Sequence, residues 1–258
     1  MIDSFYIGAT GMNAQQVFID TIANNVSNIN TTAFKKGRVT FEDLFYRRLN
    51  AAAPLTLDPS SNQVGLGTAI GKTDTVFTAG NLIKTGNQMD LAIQGGGFLE
   101  VTDSAGNRYY TRLGALQMDS NGELQTTNGY NLVSKIRIPS DATQVTVAQD
   151  GTVTAVVPDQ TQPVQLGQID LANFVNVGGL RSIGDGLYAA TDASGQPYYA
   201  TPGQDGVGTF SQGYQESSNV DLNSELLSLV VAQRAYQLNS RVVQISDDVM
   251  NSIVNLRR

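Results

Sequence analysis

Near its C-terminal end the sequence places Val231, Ala235, Leu238, Val242, Ile245, Val249 and Leu256 at alternating steps of four and three, and only Ser252 breaks the series. That spacing turns one stripe of a helix toward a partner helix in a left-handed coil. A second such series opens the chain: Met12, Ile19, Ile22, Val26 and Ile29, with Gly8 and Gln15 in the intervening places. The pattern predicts one helix from residue 3 to about residue 30 and a longer one from about 221 to 256. Asp221 or Ser218 suits the N-cap of the second. Arg257 and Arg258 stand at its other end, where cations complement the helix dipole.

The polar side of the first helix is unusual. Asn24, Asn25, Asn28 and Asn30 lie among the apolar residues, and Asp3 and Asp20 are the only charges before residue 31. A solvated helix face normally carries Lys and Glu. Neutral amides both donate and accept hydrogen bonds, and they cost far less to bury than ions. The first helix is therefore expected to be covered on more than one side. That is more surface than a second helix of one chain can supply, whereas further copies of the chain could supply it. The residues expected at such an assembly interface are Met12, Ile19, Ile22, Asn24, Asn25, Val26, Asn28, Ile29, Phe34, Val231, Ala235, Leu238, Val242, Ile245 and Val249.

Between the helices the composition changes. From about 71 to 215 the chain is rich in Gly, Thr and Gln, with turn pairs at Asn121-Gly122, Asn128-Gly129 and Asp150-Gly151. Short alternating runs lie between the turns, at 135–138, 145–147 and 153–156. The fold class expected is α+β: terminal helices forming a coiled-coil-like core domain, with an inserted all-β middle domain. The boundaries expected are 1–40 for the first helix, 41–70 for an extended connector, 71–215 for the β-rich domain and 216–258 for the last helix. The basic residues Lys35, Lys36, Arg38, Arg47 and Arg48, interrupted by Glu42 and Asp43, suit local salt bridges.

Much chemistry is excluded. The chain has no Cys, His or Trp, so Ser-His-Asp and Cys-His catalysis and His/Cys zinc sites are impossible. No cofactor and no metal are expected. A net charge of −7 disfavours nucleic acid. No apolar run approaches membrane-spanning length, and the N-terminus lacks the basic and apolar regions of a secretory signal. By ordinary routes the chain would stay in the cytoplasm, leaving only signal-independent export. The spacing of Gly65, Gly67 and Gly71 is one residue longer than a dinucleotide fingerprint and reads as an entry to the β domain. Gly95-Gly96-Gly97 reads as a turn or bulge feeding a strand. The adjacent carboxylates Glu42-Asp43 and Asp247-Asp248 point apart, and read as surface charge rather than a hydrolase pair.

Several stretches carry a resemblance. Ile22-Ala23-Asn24-Asn25-Val26-Ser27-Asn28 with Thr31-Thr32-Ala33-Phe34-Lys35 resembles the N-terminal signature of the flagellar basal-body rod and hook family. Gly213 to Val220 and Ala232 to Ser240 resemble its C-terminal signature, and Asp90 to Phe98 and Tyr110 to Gly114 also match. The resemblance covers nearly the whole chain, and its motifs occur in the family's order. Phe41-Glu42-Asp43-Leu44-Phe45-Tyr46 is similar to the start of the extra segment of distal rod members. Ala33 stands where many relatives have Gly, which a left-handed turn would favour. The resemblance implies a structural protein that is not an enzyme. Its implied state is a homo-oligomeric helical tube in the basal body, spanning periplasm and cell wall and carrying torque from motor to hook. Its implied partners are other rod proteins, the hook protein, the surrounding ring proteins and the flagellar type III export apparatus. The segment 41–68 would bridge adjacent subunits. A proximal rod protein of similar size and a monomeric β-rich binding module are the alternative readings.

Overall fold

Both apolar series form helices, and the polar runs between them form strands. The computed structural model describes residues 2–48, 63–158 and 162–256. Helix α1 spans Ile2–Ser27 and helix α2 spans Leu222–Leu256. Asp221 caps α2: its Oδ1 accepts from the N–H groups of Asn223 at 2.8 Å and Ser224 at 3.2 Å. Arg257 and Arg258 lie outside the described residues. The architecture is α+β, with a helix at each end and a β-rich middle.

The chain divides into two compact units. The first joins Met1–Ser27, Gly37–Thr75 and Asp221–Arg258. Here α1 and α2 run antiparallel: Gly8 lies against Val243, Gly11 against Asn239, and Asn25 against Glu225. Strands β1 (Gly37–Asp43), β2 (Tyr46–Arg48), β3 (Gln63–Gly65) and β4 (Thr68–Thr75) form two antiparallel pairs, β1 with β4 and β2 with β3. A bulge between Thr40 and Phe41 shifts the β1 register. Phe41 meets Phe18 of α1 edge-on, with ring centroids 5.6 Å apart. The Gly65–Gly71 stretch, expected as an entry segment, is therefore mostly strand. Residues 49–62, which hold the Pro, Ser and Asn of the expected connector, lie outside the described residues, as do the side chains of Arg47 and Arg48.

The second unit joins Asn28–Lys36 to Val76–Val220. Its largest sheet has seven strands, in spatial order Arg181–Gly184, Leu187–Ala189, Arg108–Thr111, Leu99–Thr102, Asn131–Leu132, Leu124–Thr126 and Leu116–Met118. Leu91, Ile93, Leu99, Val101, Val153, Leu171 and Phe210 fill one core. Each such buried side chain contributes about 1.5–3 kcal/mol. A second, aromatic core holds Phe98, Tyr110, Phe174 and Tyr188, packed edge to face. The run Lys135–Ile138 is not a strand. Lys135 sits at φ 43°. Ile136 and Ile138 still point into the core, and Arg137 makes one isolated bridge to Glu123. Alternating burial thus arises without a ladder.

Candidate functional site

The heptad series on α2 does not face α1. The α2 side turned toward α1 carries Glu225, Ala232, Asn239, Val243 and Ser246, which are buried or half-buried. Val231 is 59% exposed, Leu238 65% and Ile245 54%, and Val242 and Val249 are exposed beside them. Among the residues of the series whose burial is described, only Ala235 is half-buried. Leu227, Ile253 and Val254 extend the apolar surface toward both ends of the helix. In the single chain α2 therefore presents two faces: a narrow one toward α1, made of small and polar residues with Val243 among them, and an exposed apolar stripe. Large aliphatic residues exposed in a row are a surface of the kind that partners cover.

On α1 the deepest positions are Gly8, Gly11, Ala14, Ile22 and Asn25. The two glycines let the helices approach closely. A Cβ on Gly8 would lie 2.6 Å from Val243 Cγ2, and one on Gly11 would lie 2.6 Å from Asn239 Nδ2. Met12, Ile19 and Val26 are half-buried, and Asn24 is exposed. Asn25 is 1% exposed, and its own chain covers it. Its Oδ1 accepts from Gly37 N–H at 2.8 Å, and its Nδ2 donates to the Gly37 carbonyl at 3.0 Å and to Glu225 Oε2 at 3.3 Å. One carboxamide thus ties the end of α1, the start of β1 and the first turn of α2.

The second unit contains a buried ionic triad. Glu216 Oε1 accepts from Lys35 Nζ at 2.5 Å and from Gly80 N–H at 2.8 Å, and its Oε2 accepts from Arg112 Nε at 2.8 Å. Arg112 spends its other donors on the carbonyls of Gly97, Gly95 and Ile93, and Lys35 also reaches the carbonyl of Thr78. Burial opposes ionisation of Glu216, but the attraction of Arg112 and the hydrogen bonds from Arg112 and Lys35 outweigh it, so the carboxyl is held below its usual range. Burial pushes the Lys35 ammonium down from its ordinary value despite Glu216. Beside the triad, Asn219 accepts from Lys36 N–H at 2.8 Å and donates to the carbonyls of Val76 and Thr78. These groups fix segment 28–36 within its unit. Of the expected interface residues there, Asn28, Ile29 and Phe34 are half-buried. Ile29 lines a small recess with Thr32, Ile83 and Thr85.

The triad is structural: both cations are paired with Glu216, and all three side chains are buried away from any substrate. Among the described residues no group of His, Cys, Asp and Glu could hold a metal ion, and no helix is long and apolar enough to cross a membrane.

Comparison with known proteins matches the elements just described. A model of flagella basal body rod proteins covers residues 5–35, one of the FlgE/F/G hook-protein D1 domain covers 92–155, and one of the C-terminal region of the FlgEFG rod proteins covers 211–256. The flagellar basal-body rod protein FlgG of Buchnera aphidicola from Acyrthosiphon pisum is 44% identical, over 99% of this chain and 100% of that protein. FlgG of Borreliella burgdorferi is 42% identical and FlgG of Bacillus subtilis 38%, each over the full length of both chains.

The chain belongs to the FlgG family of flagellar basal-body rod proteins.

This membership makes the chain structural rather than enzymatic. The stretch 22–28, which resembles the N-terminal signature of the rod and hook family, contains the Asn25 tie, and the stretch 213–220, which resembles its C-terminal signature, contains both Glu216 and Asn219. The sequence pattern had marked these stretches without showing what they do. Lys35, Arg112 and Glu216 are 77 and 104 positions apart along the chain (112 less 35, and 216 less 112), and no periodicity links them. The one available signal was that three charged residues fell inside signature stretches that carry few others.

Proposed function

We propose that the chain is a structural subunit of the flagellar distal rod, and that copies assemble into a helical tube through the exposed stripe of α2. The observation that carries this reading is the stripe itself: Val231, Leu238, Val242, Ile245 and Val249 keep heptad spacing and lie away from α1. Heptad spacing fits a helix partner, and the α1–α2 pair of one chain leaves that partner unsupplied. A coiled-coil-like core then forms between copies. Met12, Ile19, Val26, Ile29 and Phe34, half-buried in the single chain, become fully covered there. Close packing of such a core resists shear, which is what transmission of torque from motor to hook requires. Burial of several large aliphatic residues per subunit, at about 25 cal/mol per Å², supplies the drive for assembly.

The remaining partners follow from a place in the rod: other rod proteins below, the hook protein above, ring proteins around it, and the flagellar export apparatus that delivers the subunit. The arm of β1 to β4, with exposed Phe45 and Tyr46, is the element that bridges neighbouring subunits. The test is electron microscopy of basal bodies from a strain lacking the gene. Rods that stop short of full length, without hooks, are expected. Complete rods bearing hooks would overturn the reading.

A further inference from the structure

The chain holds two copies of the dipeptide Asn-Gly, the sequence most prone to spontaneous deamidation, because glycine leaves its amide nitrogen open to attack on the preceding side chain. Both lie in turns of the second unit, and the structure treats them differently.

At Asn121-Gly122 every part is tied. Asp119 Oδ1 accepts from the Asn121 N–H at 2.8 Å, and Asp119 Oδ2 accepts from the Asn121 side-chain amide at 3.1 Å. Arg137 Nε donates to the Asn121 carbonyl at 3.0 Å. Gly122 N–H donates to the Asp119 carbonyl, and the Gly122 carbonyl accepts from Ile138 N–H at 2.8 Å. The backbone is also enclosed: a Cβ on Gly122 would lie 2.5 Å from the Ile138 carbonyl oxygen. The Asp119 charge next to the Gly122 amide opposes the negative charge that builds on the attacking nitrogen.

At Asn128-Gly129 little holds the side chain. Asn128 is exposed, and its amide makes one long contact, 3.4 Å to the Asp185 carbonyl. Gly129 N–H donates to the Thr126 carbonyl at 2.9 Å, as Gly122 does to Asp119. Nothing lies within 4 Å of a Cβ placed on Gly129. The backbone hydrogen bond is common to both sites, so it does not distinguish them. Anchoring of the side chain and room to rotate do.

We propose that Asn128 is a site of spontaneous deamidation and main-chain isomerisation, and that Asp119 protects Asn121 from the same fate. Gly129 N attacks Asn128 Cγ. The new C–N bond closes a succinimide, the Cγ–Nδ2 bond breaks, and ammonia leaves carrying the proton from Gly129 N. Water then opens the ring at either carbonyl, giving aspartate or isoaspartate. Either product adds one negative charge, and neither can donate to the Asp185 carbonyl. Isoaspartate also lengthens the main chain by one carbon in the turn between the strands Leu124–Thr126 and Asn131–Leu132. This inference goes beyond the assembly reading and does not depend on it.

The test is to hold the purified full-length chain in mildly alkaline buffer and follow both sites by peptide mapping with mass spectrometry that separates aspartate from isoaspartate. The peptide containing position 128 should gain one mass unit several-fold faster than the peptide containing position 121. Equal rates, or faster change at 121, would overturn the proposal. So would no change at 128 under conditions that convert an unstructured peptide of the sequence Thr-Asn-Gly-Tyr. In the variant Asp119→Ala the rate at 121 should rise while that at 128 stays the same; an unchanged rate at 121 would remove the protective role of Asp119.

Discussion

The carboxamide of Asn25 pairs with Gly37 as a neighbouring β-strand would, accepting from its N–H at 2.8 Å and donating to its carbonyl at 3.0 Å. A side chain here does the work of a backbone ladder. It satisfies both backbone groups of Gly37 at the start of β1, where Gly37 stands opposite Thr75 of β4, and its second donor contact reaches Glu225 of α2. Replacing Asn25 with Leu leaves the half-buried N–H and carbonyl of Gly37 without these partners. Each orphaned group costs about 1–3 kcal/mol. Asn25→Leu should therefore lower unfolding stability by about 3 kcal/mol, measured by denaturant titration. A loss under about 0.5 kcal/mol, within the range of ordinary surface changes, would show that the tie is incidental.

Two glycines of α1 give a contrast. Exchange of Gly for Ala inside a helix gains about 1 kcal/mol of propensity. At Gly11 the obstacle is the amide end of Asn239, which can rotate, so Gly11→Ala should be nearly neutral. At Gly8 the obstacle is Val243 Cγ2 with the Asn239 carbonyl behind it. A branched side chain in a helix has one main rotamer and little freedom to move. Overpacking of about 1–3 kcal/mol then exceeds the gain. Gly8→Ala should lower the melting temperature where Gly11→Ala does not. The reverse order would show that the helices do not meet at Gly8 as described.

The α2 stripe was legible in the sequence as a heptad, and so were both helices and the strand-and-turn character of the middle. The sequence did not show which face of α2 meets α1. Apolar spacing reports which residues seek cover, but Val243 on the α1-facing side of α2 lies outside the heptad series, and most of its companions there, with Gly8, Gly11 and Ala14 opposite, are small or polar residues that give no hydrophobic signal. The amide type of Asn25 points to a covered position, and the cover comes from its own chain, through Gly37 and Glu225, rather than from neighbouring copies. A Cβ at Ala33 disfavours a left-handed turn, yet Ala33 adopts one at φ 58°. There its N–H donates to the Glu216 carbonyl at 2.8 Å, and the surrounding contacts offset a strain of about 1–2 kcal/mol. The Lys35–Glu216–Arg112 triad joins residues far apart in sequence, so only the folded chain shows it.

That triad makes a prediction about charge. Glu216→Gln keeps the shape but leaves Lys35 and Arg112 buried with a neutral partner. Breaking a buried ion pair in this way costs about 3–5 kcal/mol. The variant should be destabilised by that order. The double variant Lys35→Met/Glu216→Gln should recover part of the loss, because one stranded charge is gone. Calorimetry of the two variants separates the cases: a double variant less stable than the single one would contradict this electrostatic account.

The pH dependence follows from the same groups. Glu216 is held below its ordinary value of 4.5, so the stability it contributes is present above that value and is lost as the pH falls below it. Asp119 and Asp150, held down by the backbone N–H groups of Glu123 and Thr152, act in the same direction below 3.8. Lys35 is depressed by burial, so between its folded value and 10.5 the unfolded chain holds more protons and stability rises with pH. No histidine titrates between these limits. Thermal unfolding followed by circular dichroism should therefore show a fall in acid, a plateau across pH 6–8 and no loss on moving into mild alkali. A step near pH 6.5, the ordinary histidine range, would contradict this assignment of groups.

The central claim is that the exposed stripe of α2 is where copies meet. Ile245→Asp places a charge in the middle of that stripe at a position that is 54% exposed in the single chain, so it should leave the melting temperature of the isolated chain unchanged while blocking assembly. The most direct measurement is electron microscopy of basal bodies from cells whose only copy carries Ile245→Asp. Rods truncated as in the gene deletion, from a variant that folds normally, are the result this account predicts. Full-length rods carrying hooks would contradict it.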